Sequence, residues 1–481
     1  MYVGVDIGTQ SLKAVVCDLA LQVTGEASVS YQPCYPRPAW AEQNPSLWEC
    51  ALAPAIAGAL DEAQAKPEDV RALGIAGQLD GCVAVGSDDT ALAPALIWMD
   101  RRAVAETADV DPALVLDRAG VVLDATHMAA KIRWLQRHGP SDAVRYHQPV
   151  SYLVARLTGE HVMDHGLAST TMLYDLQRRA YDEPLLAAFE VSPDRLPAIA
   201  EASDIAGRLS DAGAALSGLP AGLPVAVGTG DDFSNPLGAG LATPGRVVCA
   251  LGTAEVVGAL RRGAVVDRKA LVETHAYAGG LYFVENPGWL SGGALTWFVA
   301  THRLADVAEL DSLAAQAAPG AEGLTFLPAL SGAMAPEWIA EARGSYYGLT
   351  SRHNTGHMAR AVLEGCAFAM RDVVERLTEL GVPVASLLLV GGGAKSALWA
   401  QIRADATGLA AEIPYRQDTS PVGAAMLGAI AVSAWPDVTA AAEQVGEIDR
   451  IAEPDPNAKE IYDGAYARYR ELFECLRPLY R

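Results

Sequence analysis

Short apolar runs that end in glycine and a polar cluster recur along this chain and set its expected architecture. Residues 2–5 and 12–17 are apolar, and Asp6-Ile7-Gly8-Thr9-Gln10-Ser11 lies between them. This is a strand–turn–strand pattern whose turn carries a carboxylate, a glycine and two hydroxyls, with Lys13 just beyond. Residues 22–31 read as a third strand, and 45–63 as an amphipathic helix with Asn44 or Ser46 as candidate cap. A strand over 71–76 runs into Gly77-Gln78-Leu79-Asp80-Gly81. Shorter strands follow at 83–85 and 95–98, the latter leading to Met99-Asp100-Arg101-Arg102. Helices are expected at 126–138 and 151–158, the second stopped by Gly159, and a polar turn at Ser169-Thr170-Thr171-Met172. A Pro/Gly/Ala-rich stretch, 193–224, then delivers the chain to VGTGDDFSNPLGAG at 227–240.

That stretch organises the rest. An apolar run at 223–228 feeds glycines and then two adjacent carboxylates, Asp231 and Asp232. Gly and Asp are ordinary turn residues. A carboxylate just past a strand end can also take a proton from a substrate hydroxyl or hold a metal ion. Beyond it the opening pattern returns: VVCALGTAEVVGAL at 247–260 matches VGVDIGTQSLKAVV at 3–16, each strand–Gly-Thr–strand. An internal duplication follows, with a boundary near Pro244 that divides the chain into 1–243 and 244–481. Helices are expected at 291–300 and 358–377. A strand at 387–390 enters Gly391-Gly392-Gly393-Ala394-Lys395-Ser396 and a helix at 397–408. Helices at 418–432 and 457–480 close the chain.

Strands alternating with helices indicate an α/β chain that binds ligands at strand ends. Backbone N–H groups in the Gly8–Ser11 turn can cradle phosphate oxygens, and three glycines before a helix let a nucleotide approach. Gln78 and Asp80, with Asp100 and Arg101 beside Trp98, suit a polyhydroxylated ligand. A surface-loop cluster over a core tryptophan fits the same residues.

Composition narrows the partners. With 481 residues the chain exceeds one comfortable core. Hydrophobic residues at 51% and charged residues at 20% fit a globular fold. A net charge of −22 argues against nucleic acid and anionic membranes. It does not argue against ATP, whose phosphates a local cation can neutralise. The 7 scattered cysteines lack CxxC spacing, so neither a disulfide framework nor a zinc site is expected. With no signal peptide and no apolar run of roughly 18 residues, a cytoplasmic protein is expected.

Taken in order, VGVDIGTQSLKA, IAGQLDG, IWMDRRA, GTGDDFSNPLGAG, LGTAE, GLTFLPALSG, ARGSYYGLT, ARAVLEGCAFAMRD and VGGGAKSALWAQIRADATG run over nearly the whole chain. Together they resemble the FGGY carbohydrate kinases, and within them most the xylulokinases. The resemblance implies two actin-like, ribonuclease H-like domains flanking a central cleft, with a sugar bound mainly by the first and ATP with Mg²⁺ by the second. It implies phosphorylation of a terminal hydroxyl of a ketose or polyol, D-xylulose foremost. Asp231 would be the general base and Asp6 would sit at the Mg²⁺–phosphate centre, the two being the carboxylates nearest the metal. Thr9, Gln10, Ser11 and Lys13 would lie along the phosphate hairpin, with Gly252 and Thr253 as their counterpart. Gly392, Gly393 and Ala394 would line the adenine and ribose site, with Gly293 nearby. Gln78, Leu79, Asp80, Trp98, Asp100 and Asp232 would face the sugar.

The chain departs from the xylulokinase pattern at three places. GQLDG stands where GQMHG is usual, Asp231-Asp232 where Asp-Asn is usual, and SGAMAP (331–336) where SGERTP is usual. Extra carboxylates change which hydroxyls a pocket accepts, so another pentulose, a tetrulose or a sugar alcohol competes with D-xylulose. Two readings from other classes remain: a sugar- and ATP-binding regulator without turnover, and an actin-like ATPase that binds proteins. A homodimer stays open.

Overall fold

The structure, a computed structural model, describes residues 1–481. Two mixed sheets of 7 strands each form its frame. In the first, Tyr2–Ile7 and Ser11–Cys17 form an antiparallel hairpin, and Val23–Ser30 adds a third strand. On its other edge Tyr2–Ile7 runs parallel to Ala72–Gly77, which in turn pairs parallel with Pro224–Ala226 and Thr229–Gly230. The second sheet repeats this order. Gly245–Leu251 and Ala254–Arg261 make the hairpin, Leu281–Leu290 the third strand, Val384–Val390 the parallel neighbour, and Ala411–Pro414 the next strand. The repeated Gly-Thr pattern of the sequence thus marks a repeated topology. The parallel strands Tyr2–Ile7 and Ala72–Gly77 are buried along their whole length, which is why they read as continuous apolar runs rather than alternating ones.

The structure departs from the sequence expectation in several elements. Ser169-Thr170-Thr171-Met172 is not simply a turn: Ser169 and Thr170 end the helix His165–Thr170. Their hydroxyls fold back on helix carbonyls, Ser169 Oγ to Gly166 O at 2.6 Å and Thr170 Oγ1 to Leu167 O at 3.1 Å, so the polar run needs no water. The strand expected at 95–98 shrinks to Ala95–Leu96, leaving Trp98 in a turn. Asp231 and Asp232 open the helix Asp231–Gly238 instead of a surface turn. Among the elements not expected, the strand Glu273–Tyr277 pairs with Leu281–Leu290 and carries the second sheet across to the first lobe. There Thr274 N–H donates to Gly120 O at 3.0 Å and Ala276 N–H to Ser169 Oγ at 3.0 Å.

The two lobes are joined by the helix Ser420–Ala431, which lies in sequence between the second-sheet strands Ala411–Pro414 and Ile448–Ala452 but packs on Tyr2–Ile7, Ala72–Gly77 and Asp231–Gly238 of the first. Glycines make this possible. A Cβ on Gly4 would lie 1.9 Å from Pro421 O, one on Gly74 1.8 Å from Ala424 O, and one on Gly238 2.0 Å from Thr419 O. Val422, Ala425 and Met426 then share one apolar core with Tyr2 and Val15 of the first sheet and Val248 and Leu388 of the second.

Candidate active site

Register brings the expected residues to one edge. Asp6 pairs with Ala76 and Ile7 with Gly77, while Thr229 and Gly230 align with Ala76 and Gly77. Asp6, the Gln78-Leu79-Asp80 turn and the Asp231-Asp232 pair therefore emerge at the same end of three adjacent parallel strands. In the second lobe Ala250 aligns with Val390, so the Gly252-Thr253 turn and the triple glycine share an edge as well.

The carboxylates at the first edge crowd one another. Asp6 is buried, and its Oδ1 has no hydrogen-bond partner. Burial first, and the charge of Asp231 second, push its carboxyl well up from the ordinary value, while Lys13 and Ser420 oppose the shift. Burial and then Asp232 push Asp231 up; burial and then Asp80 push Asp232 up. Lys13 lies along this edge with its ammonium paired to Asp418 of the second lobe. No group of three or more His, Cys, Asp or Glu side chains is arranged to hold a metal ion alone. An orphaned Asp6 oxygen beside Asp231 fits a hard divalent cation that takes its remaining ligands from phosphate oxygens.

The acceptor end is built by tied side chains. Gln78 donates from Nε2 to Gln43 Oε1 at 2.6 Å, and Gln43 donates from Nε2 to Thr9 O at 2.6 Å, leaving Gln78 Oε1 buried without a partner. Trp98 is 44% exposed and donates from Nε1 to Thr9 Oγ1 at 3.0 Å. Thr9 is thereby tied to both Gln43 and Trp98, whereas Gln10 is exposed. Leu79 is half-buried and wedged against the position a Gly230 Cβ would take, 3.0 Å from its Cδ2. Asp100 does not present a free carboxylate: it is fully buried, its Oδ2 accepts from Ala41 N–H at 2.7 Å, and both oxygens accept from Arg102 Nε at 2.9 Å. The expectation that Asp100 faces a sugar is revised on this ground; it holds the loop that carries Trp98.

Asp80 is the pivot of a buried group that the sequence did not expose. Its backbone sits at φ 57°, in the left-handed region. Its N–H donates to Gln148 Oε1 at 2.8 Å, and its carbonyl accepts from Lys131 Nζ at 2.6 Å. Lys131, fully buried, also donates to Ile97 O at 2.9 Å and to Thr126 O, and burial pulls its pKa down to about 8. His127 Nδ1 lies 3.2 Å from both oxygens of Asp80, and its Nε2 lies 3.8 Å from Glu273. Burial alone would push His127 down, but Asp80 and then Glu273 hold it well above the ordinary value, so it stays a cation. Behind it His275 Nε2 stands 3.4 Å from Glu285. Burial, and then the charges of Asp232 and Glu273, push Glu285 well up, and burial pushes His275 down. Glu273 and His275 are two residues apart on one strand and so share a face, a spacing legible in the sequence; His127 and Lys131, in a run read only as a helix, gave no such signal.

The second lobe supplies a cradle of glycine turns. A Cβ on Gly292 would lie 2.2 Å from Gly252 O, and one on Gly293 3.3 Å from Thr253 Cγ2. Gly391 has φ 84°, and Gly392 faces open space. Gly252, Thr253 and Gly392 are exposed toward solvent, but Ala394 is fully buried, its carbonyl accepting from Arg450 Nη2 at 3.0 Å. Ala394 thus supports the turn from beneath and lines no open surface.

Two lobes with duplicated sheets, a carboxylate pair on one cleft wall and glycine turns on the other define a phosphotransferase of the actin-like class. Comparison with known proteins refines this. The model of the FGGY family of carbohydrate kinases, N-terminal domain, matches residues 1–238, and the C-terminal domain model matches 247–432. The chain belongs to the FGGY family of carbohydrate kinases. It is 31% identical over 488 residues to a xylulose kinase of Escherichia coli, covering 100% of both chains. It is 29% identical to a glycerol kinase of Thermococcus kodakarensis, covering 95% of this chain and 94% of the other. The crystal structure of a xylulose kinase from Rhodospirillum rubrum superposes with a TM-score of 0.91 at 29% identity, covering 100% and 99% of the two chains. The protein is accordingly a sugar kinase that uses ATP and an alcohol acceptor. No helix is long and apolar enough to cross a membrane.

Proposed function

We propose that the protein phosphorylates the terminal hydroxyl of D-xylulose, giving D-xylulose 5-phosphate, with Mg·ATP as donor. The observation that supports this reading is the meeting of Asp6, Asp231 and the Gln78–Asp80 turn at three adjacent parallel strand ends, together with a second set of glycine turns sharing one edge of the other sheet. Asp231 takes the proton of the attacking hydroxyl, whose oxygen bonds to the γ-phosphorus as the bond to the ADP oxygen breaks. A base whose pKa is raised toward the working pH suits this task. Magnesium would supply charge neutralisation on the phosphates, with Asp6 and Asp231 as its protein carboxylates. Lys13 and Ser11 orient the phosphates from one side, Gly252 and Thr253 from the other, and Gly392, Gly393 and Gly293 accommodate the nucleoside. Gln78, Asp80, Trp98 and Asp232 read the acceptor, Trp98 covering its C–H face. The division at 243/244 assigns acceptor binding to 1–243 and nucleotide binding to 244–481; the start of the second sheet at Gly245 supports it. A reducing, cytoplasmic setting agrees with seven free cysteines.

One observation favours a second acceptor class. Asp80, Asp232, Glu273 and Glu285 gather at the back of the pocket, and glycerol kinases stand among the relatives, so a short polyol or tetrulose is the alternative. The test of the assignment is Asp231→Asn. It is expected to lower kcat by about 10²–10⁴-fold while ADP affinity, read by calorimetry, stays within about 3-fold. Turnover near the wild-type rate would remove Asp231 from the role of base. ADP-binding protein without turnover on any acceptor, wild type included, would favour the regulatory reading.

A further inference from the structure

Beneath the glycine turns lies an ion pair that the phosphoryl-transfer chemistry does not use. Glu255 stands two residues past Thr253, and Arg403 lies on the helix Ala397–Thr407 that follows the triple glycine; both side chains are wholly buried. Arg403 Nη2 donates to Glu255 Oε2 at 2.7 Å and Nη1 to Oε1, a two-pronged contact. Ser291 Oγ donates to the same Oε2 at 2.6 Å. The backbone repeats the link: Ser291 N–H and Gly293 N–H donate to Thr253 O at 3.2 and 2.9 Å. The Arg403 guanidinium stacks over Trp399 at 4.4 Å, and a Cβ on Gly393 would lie 2.8 Å from that same ring. The pair is therefore linked to all three segments proposed to reach the nucleotide: Glu255 continues the strand that leaves the Gly252-Thr253 turn, Ser291 bonds Glu255 directly, and Trp399 carries the contact from Arg403 to Gly393.

Stability is a poor reason for such a pair. A buried ion pair loses much of its Coulomb gain to desolvation, and apolar replacements of similar volume are often neutral or stabilising. Here Arg403 Nε is also buried without a partner, an added cost. What the pair does supply is fixed geometry, since a planar guanidinium locked to a carboxylate leaves both elements little freedom to shift.

We propose that Glu255 and Arg403, with Ser291, are positioning residues of the nucleotide site, holding its three turns in register so that the Gly252-Thr253 turn meets the phosphates while the glycines at 293, 392 and 393 admit the nucleoside. This rests on reading the cleft as the ATP site. Ser291→Ala removes one hydrogen bond and leaves the ion pair and the core intact. It is expected to weaken ADP binding, read by calorimetry, by about 5-fold and to raise KM for ATP in step, with KM for the acceptor unchanged. The double variant Glu255→Met/Arg403→Met removes both charges at similar volume; it is expected to keep the thermal midpoint and to weaken ADP by about 10-fold. Wild-type ADP affinity in the folded variants would overturn the proposal, as would acceptor and ATP constants that move together. Wild-type protein that binds no ADP would overturn the nucleotide reading itself, and this proposal with it.

Discussion

On the proposed function, Asp80 and His127 decide what the acceptor end can recognise. His127 Nδ1 lies 3.2 Å from both Asp80 oxygens, and this two-pronged contact fixes the orientation of the carboxylate. His127→Phe is expected to raise KM for the acceptor by about 10-fold while KM for ATP stays within about 2-fold, a split that steady-state kinetics reads directly. The same pair has a signature in stability. The groups facing His127 are Asp80 and Glu273, and together they raise its native pKa above the unfolded value. The stability it contributes is therefore complete below about pH 6.5 and is lost as pH rises through the elevated native value. Denaturation of wild type and His127→Phe across that range should show their difference shrinking toward alkaline pH; a difference that grows would contradict the cationic assignment.

At the scale of elements, the helix Ser420–Ala431 and its glycine seats hold the site together, because Asp6, the Gln78 turn and Asp231 all hang from the three elements it packs on. Gly74→Ala would drive a Cβ to 1.8 Å from the Ala424 carbonyl, a clash between two backbones that no rotamer relieves. Overpacking of this kind is expected to cost about 1–3 kcal/mol in chemical denaturation; a variant as stable as wild type would show that helix and sheet can separate freely. The sequence carried much of this architecture. Two strand–Gly-Thr–strand hairpins announced two related lobes, and Asp6, Asp231 and the triple glycine each sat past an apolar run. The glycines at 4 and 74 were invisible in role, since only the close approach of a distant helix gives them one. The strand Glu273–Tyr277 escaped notice because it is buried on both faces and so shows no apolar–polar alternation, and with it went Glu273 and His275. Asp100 was misread for a related reason: polar residues at a strand end look alike whether they meet a ligand or, like Asp100, a neighbouring Arg102.

Across the whole molecule, charge and division into lobes constrain which partners enter the cleft. The chain carries a net charge of −22, and on the proposed reading Asp80 and Asp232 stand on the acceptor side, with Glu273 and Glu285 behind them and His127 as the facing cation. An anionic acceptor such as an aldonate meets repulsion in a site shielded from water, whereas a neutral ketose or polyol offers the hydroxyl donors these oxygens require. The ion pairs Lys13–Asp418 and Arg416–Glu26 join the lobes at exposed positions, so they guide how the lobes meet more than they hold them together. The most direct test is acceptor-dependent ADP release from Mg·ATP across ketopentoses, tetruloses, pentitols and an aldonate. The account predicts strong release with one neutral acceptor, D-xylulose first, and none with the aldonate. ADP release that no neutral acceptor stimulates, from protein that binds ADP, would contradict it.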